Sequence, residues 1–203
     1  MEEIKRYQIR GLPNPVVRVR FGERLVDFWA PQSRTEHLLI AHDGQNIFDR
    51  KTATKFSTWK LAEKAIAVAD NLGKTPPAII AIFHGKTKSD PHGRARDLCP
   101  EDPFHEGVEA AAPAKFELSA LRGNSYLNQI FTEIVPIILQ ELDLDIPGEK
   151  RAMIGSSLGG LATLYATSKF SDQFKTALAL SPHWTLSDEA LVDWMIPKLS
   201  NLN

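Results

Sequence analysis

Six consecutive residues, Gly155-Ser156-Ser157-Leu158-Gly159-Gly160, lie between an apolar stretch (151–154) and a run of good helix formers (161–169). In the register G-x-S-x-G, Ser157 stands between Gly155 and Gly159, in the strand-turn-helix setting of a nucleophile elbow. A serine on so tight a turn takes an unfavourable backbone conformation, and its flanking residues must be small for strand and helix to approach. Its hydroxyl then projects at a helix N-terminus, where free N–H groups favour negative charge and the Leu158 N–H faces a developing oxyanion. Serines between glycines also make ordinary turns and helix N-caps. Here the strand ending at Ile154, the further Gly160 and the helix formers Ala162, Leu164 and Ala166 favour chemistry over a plain turn.

Other polar clusters are less specific. His42-Asp43-Gly44-Gln45-Asn46 follows a short apolar run, and Asp-Gly alone is a turn signal. His84, Asp90, His92, Asp97, Asp102 and His105 crowd a stretch rich in proline, glycine and charge. None of them falls on a ligand spacing such as H-E-x-x-H, so no metal is expected there, and no cofactor is expected elsewhere.

The elements that must hold these residues alternate. Val17, Val19 and Phe21 interleave with Arg18 and Arg20, and Gly22-Glu23 separates them from 25–29, which predicts an antiparallel hairpin with its arginines on a solvated face. Residues 38–41 and 78–83 are apolar runs of strand length, suited to burial on both faces. Residues 59–72 show helical periodicity, closed by Gly73 at a C-cap position. Residues 126–142 predict a long amphipathic helix in which Pro136 forces a kink or a new segment. Strands at 151–154 and 176–180 flank the elbow helix. Strands alternating with helices predict a mostly parallel sheet covered on both faces. The stretch 84–125 is read as a long loop or lid, with a helical turn at 109–112 ended by Pro113.

The 203 residues suit one domain spanning 1–203. With 43% hydrophobic and 24% charged residues and a net charge of -1, the composition gives no reason to expect nucleic acid or an anionic membrane as partner. Cys99 is the single cysteine, the N-terminal residues lack a signal-peptide apolar core, and no run reaches the roughly 18 apolar residues of a membrane span. A cytoplasmic location is therefore the expectation.

Four segments, in order, resemble the α/β-hydrolase esterases of the putative-esterase group, which includes enterochelin-esterase-like and carbohydrate-esterase-like members. His42-Asp43-Gly44-Gln45-Asn46-Ile47-Phe48-Asp49 resembles that group's D-G-Q-N-x-F-D segment, and Arg94-Ala95-Arg96-Asp97-Leu98 its R-x-x-[ED]-L stretch. Residues 126–139 resemble the helix before the elbow strand. Residues 155–160, followed by Ser181-Pro182-His183-Trp184, resemble the nucleophile segment and the S-P-x-W loop. The resemblance implies a three-layer α/β-hydrolase-type mostly parallel sheet with an N-terminal antiparallel hairpin, C-terminally shortened. It implies Ser157 as nucleophile, Leu158 as one oxyanion donor, and a backbone N–H of Gly44 or Gln45 as the second. Asp43, Arg94 and Trp184 would line the pocket, although salt bridging and core packing are alternatives for the last two.

The expected reaction is hydrolysis of a small-molecule carboxylic ester through an acyl-enzyme on Ser157, which requires a base. The family order is serine, acid, histidine, yet forty-six residues follow Ser157 and His183 is their one histidine. Three explanations stand: a shortened esterase without acid and base; His183 recruited as base, with Asp188 or Asp193 orienting it; or a histidine from another chain. His42, after a central strand, is more simply a packed histidine at the pocket floor. A catalytically silent binding module and an acyltransferase with the same nucleophile are the alternative functions. A sheet ending near Leu180 would leave an apolar edge, so a homo-oligomer through that edge is expected.

Overall fold

The computed structural model describes residues 1–111 and 116–200. Seven strands form one sheet: β1 (Glu2–Tyr7), β2 (Val16–Phe21), β3 (Arg24–Trp29), β4 (Leu38–Ala41), β5 (Ala78–Ile82), β6 (Arg151–Ser156) and β7 (Thr176–Leu180), in spatial order β1-β2-β3-β5-β4-β6-β7. β4 lies between β5 and β6, parallel to both, and β7 extends the parallel block. β1, β2 and β3 add antiparallel ladders on the other side. Five strands, β2 and β4 to β7, consequently run in one direction.

Alternation along the central strands sorts their side chains into two layers. Leu38, Ile40, Ala78, Ile80, Ile82 and Met153 enter one core, while Leu39, Ala41, Ile79, Ala81 and Ile154 enter the other. The period of two along a strand dictates this division, and burial on both faces explains why these strands read as unbroken apolar runs. Helix α1 (Leu61–Asn71) covers the second core through Ala62, with Gly73 at φ 61 just past its end. The first core takes α4 (Gly123–Gln129), α5 (Val135–Glu141), α6 (Leu158–Lys169) and α7 (Asp188–Ser200), through residues such as Leu127, Ile138, Leu161 and Leu191. No helix among the described residues is long and apolar enough to cross a membrane.

The predicted helix over 126–142 is three pieces. Between α4 and α5, Ile130–Ile134 form a π-turn whose wider ring ends with the Val135 N–H donating to the Ile130 carbonyl. Pro136 follows at the start of α5, so the proline's missing N–H and its clash with the preceding turn fall where the helix is already rewound. The stretch 84–125 carries two short helices, α2 (Gly93–Leu98) and α3 (Asp102–His105), besides the start of α4. Of the helical turn expected at 109–112, Glu109 and Ala110 are irregular and the Ala111 N–H bonds the Leu186 carbonyl, whereas Ala112 and Pro113 lie outside the described residues.

Arg18 departs from the solvated face expected of it. β1 pairs along β2 and makes it an interior strand, and the Arg18 guanidinium binds the fully buried Asp27 through two contacts of 2.6 and 2.7 Å. The Tyr7 hydroxyl donates to the same carboxylate at 2.7 Å. Arg20, two residues on, is exposed as expected.

Candidate active site

Ser157 sits at φ 58, ψ −120 between β6 and α6, a conformation that L-residues rarely adopt. The glycines around it are required by contact. A Cβ on Gly155 would overlap the Gly159 carbonyl, and one on Gly160 would lie 2.9 Å from the Leu180 carbonyl oxygen. The Ser157 N–H donates to the Leu180 carbonyl at 3.0 Å, and the Ser157 carbonyl accepts from Leu161 and His183 N–H groups at 3.0 and 3.1 Å. The elbow is therefore fastened both to its own helix and to the chain leaving β7. Among the described residues, neither the Ser157 hydroxyl nor the Leu158 N–H has a hydrogen-bond partner.

The second half of the site follows β4. Asp43 takes a left-handed conformation (φ 54, ψ 45) and opens a 3-10 turn, Gly44–Asn46. Only the Asn46 and Ile47 N–H groups are used by that turn, so the Gly44 and Gln45 N–H groups remain without partners among the described residues. A side chain at Gly44 would overlap the β5 backbone at Ala81, which explains glycine there. The turn is braced from outside: the Asn46 side chain accepts the Thr54 N–H at 2.8 Å, and the Thr52 hydroxyl donates to the Gln45 carbonyl at 2.9 Å. It lies against the elbow, since a Cβ on Gly159 would be 3.3 Å from both His42 Cβ and Asp43 Oδ2.

Asp43 is buried and bound by Arg94 through two parallel hydrogen bonds of 2.7 Å, from Nε and Nη2. Burial pushes its carboxyl up, but the Arg94 guanidinium outweighs burial and holds it below the usual carboxylate range. Arg94 thus makes a salt bridge at the turn, and its Nη1 has no hydrogen-bond partner among the described residues. His42 is completely buried; its Nδ1 is 2.7 Å from the Tyr126 hydroxyl and its Nε2 has no partner among the described residues. Burial pushes the His42 pKa down to about 4, so the ring is neutral at pH 7. Burial also raises the Tyr126 pKa, which keeps its hydroxyl protonated, and the Arg24 guanidinium covers that ring at 4.6 Å. Cys99 is buried, its thiol pushed up to about 12 by burial, and offers no thiolate near neutral pH.

His183 and Trp184 follow β7, as the sequence places them. The His183 backbone is tied to Ser157, and its exposed ring has Nε2 2.8 Å from the Thr185 hydroxyl. Among the described residues no carboxylate bonds that ring, and Asp188 begins α7 while Asp193 lies within it. Trp184 packs half-buried against the first core. The sequence reading missed Tyr126, Arg24 and Asp97 as parts of this neighbourhood. All three meet their partners across long separations, which no local pattern signals.

Comparison with known proteins agrees with this fold. A comparison with curated proteins gives no match. Among solved structures, the BES protein from Bacillus cereus superposes with TM-score 0.62 at 15% identity, over 98% of this chain and 70% of that one. Siderophore hydrolase EstA from Aspergillus nidulans gives 0.59 at 19%, over 98% and 63%. An IroE-like serine hydrolase from Shewanella oneidensis gives 0.59 at 18%, over 97% and 56%. The chain spans 56–70% of the length of these three. A strained serine on a strand-to-helix elbow, a buried turn with free N–H groups beside it, and a family model described as putative esterase that matches residues 22–197 together place the chain in the putative esterase family, with the α/β-hydrolase fold.

Proposed function

We propose that the protein hydrolyses small-molecule carboxylic esters through an acyl-enzyme on Ser157. The observation that carries this is the strained Ser157 next to the Leu158 N–H, on an elbow against which the Gly44–Gln45 turn packs, all three N–H groups being unpaired among the described residues. Ser157 Oγ attacks the ester carbonyl carbon as its proton passes to a base. The carbonyl oxygen takes the negative charge in reach of those N–H groups, the alkoxide leaves with a proton, and water releases the acyl group by the same route. For His183 to be that base, its ring must leave Thr185 and rotate towards Ser157, to which its backbone is already tied. A fluorophosphonate probe tests the nucleophile: it is expected to label the wild type at Ser157 and to leave Ser157→Ala unlabelled. Equal labelling of the two, or none of either, removes the reading.

The His183–Thr185 contact also favours a second reading, a binding module that keeps the pocket but turns over nothing. It predicts p-nitrophenyl acetate hydrolysis no faster than buffer. An acyltransferase would share the acyl-enzyme and differ in the acceptor that relieves it.

The same reading includes self-association. β7 is the sheet's last strand, without charged residues, and exposes Leu178 (41%) and Leu180 (48%). Such an edge pairs readily with a second copy. Light scattering is expected to show a dimer or larger species at micromolar concentration, shifted to monomer by Leu178→Lys with Leu180→Lys. A monomeric wild type under those conditions removes this part.

A further inference from the structure

Beyond Gln45, the turn that offers an oxyanion N–H forms part of the wall of a cavity of about 570 Å³. Its floor is apolar, with Phe21, Leu25 and Phe83, and its rim is basic, with Arg24, Lys86 and Arg122. The two arginines share one buried carboxylate, and Arg122 Nη2 also binds Asp90 Oδ2 at 3.1 Å. Arg24 Nη1 binds Asp97 Oδ2 at 2.9 Å, and Arg122 Nε binds Asp97 Oδ1 at 3.1 Å. Asp97 is 1% exposed and its Oδ2 also accepts the Gly85 N–H at 2.6 Å, so both of its oxygens are engaged.

What the forks do not use faces outward. Arg24 Nη2 and Arg122 Nη1 make no hydrogen bond among the described residues, and neither is sealed from solvent. The Lys86 ammonium has no carboxylate partner among the described residues, and its backbone N–H donates to His84 Nδ1 at 3.1 Å. That bond fixes the neutral His84 ring with its proton on Nε2, adding a donor to the same wall. Glu23 is the one acid of the lining not engaged in such a pair, and it is exposed.

We propose that this cavity is a carboxylate-binding subsite and that the ester which reaches Ser157 carries a second, free carboxylate. This extends the esterase reading and rests on it. One free nitrogen from each of two guanidiniums and an ammonium above an apolar floor suit a planar carboxylate on a short hydrocarbon spacer. Gln45 belongs both to that subsite's wall and to the oxyanion turn, and the proposed substrate passes along it from one to the other.

Matched esters test the proposal. Mono-4-nitrophenyl glutarate against 4-nitrophenyl valerate places the carboxylate in the acyl part; the butyrate ester of glycolate against ethyl butyrate places it in the alcohol. In at least one pair the wild type is expected to favour the charged ester by about tenfold in kcat/KM at low salt, as a charge-assisted contact would give. Lys86→Glu should collapse that ratio and Glu23→Gln should raise it; opposite shifts cannot come from a general loss of folding. No preference in either pair, or a ratio that both variants leave unchanged, overturns the proposal. Titration of glutarate into Ser157→Ala by calorimetry keeps the subsite separate from the chemistry. Binding that Lys86→Glu abolishes supports the subsite even if no ester is turned over, and absence of glutarate binding overturns it even if Ser157 is a working nucleophile.

Discussion

Ser157→Gly is expected to make the protein more stable and inactive at once. The serine occupies φ 58, ψ −120, where a residue with a Cβ is strained by about 1–3 kcal/mol. Its hydroxyl makes no hydrogen bond among the described residues that would offset this, so nothing local is lost when the side chain is removed. Glycine relieves the strain but gains freedom in the unfolded chain, which returns about 0.4–1 kcal/mol. The balance is a gain of roughly 1 kcal/mol, read as a rise of about 2–4 °C in Tm for a chain of this size. Ser157→Ala keeps the Cβ and should leave Tm nearly unchanged. Both variants should lower ester turnover by at least about a thousandfold, because both remove the hydroxyl proposed to attack the ester. A Tm for Ser157→Gly equal to or below that of Ser157→Ala would show that the elbow stores no strain. Residual turnover within tenfold of wild type in either variant would show that Ser157 is not the nucleophile.

That prediction was open to a reader of the sequence, since the elbow is a local pattern: a strand, two glycines at fixed offsets and a helix, all within twenty residues. β4 and β5 were legible for a related reason, because burial on both faces leaves an uninterrupted apolar run. β1 was not. Five of its six residues are exposed, and backbone pairing to β2, with an irregularity between Glu3 and Lys5, holds it in place without any apolar signature. α7 was hidden by Pro197 within it and by a buried face narrowed to Leu191 and Met195. The supports of the site were the least visible part. Arg94 reaches Asp43 across 51 residues, Tyr126 reaches His42 across 84, and Arg24 reaches Asp97 across 73. Periodicity carries no information about such pairs, and only the assembled fold brings them together. Arg18 shows the same limit, since its alternation with valines signals a face of the strand and says nothing of the buried Asp27 opposite.

His42 makes a second consequence large, an acid sensitivity centred on the turn after β4. Burial pushes its pKa from 6.5 to about 4, with the Arg24 and Arg94 guanidiniums acting in the same sense and Asp43 against it. Between those values the unfolded chain binds a proton at this ring that the folded chain does not. Stability contributed by the neutral ring is therefore complete above about pH 6.5 and is lost as pH falls towards 4, by roughly 3 kcal/mol in all. His84, whose pKa burial also lowers, adds loss of the same sign. The Asp43 carboxyl, held below its ordinary range, adds its own loss only at lower pH. His42→Gln isolates the ring, since an amide can still bond the Tyr126 hydroxyl but takes no proton. Urea midpoints at pH 7.0, 5.5 and 4.5 are expected to fall steeply in the wild type and distinctly less in the variant, so that the two curves converge as pH drops. Parallel curves would mean that His42 is protonated in the folded protein as easily as in the unfolded one, contrary to its complete burial. Because the ring directly precedes the turn that packs against the Ser157 elbow, any turnover should fall with the same pH profile and flatten in the same variant.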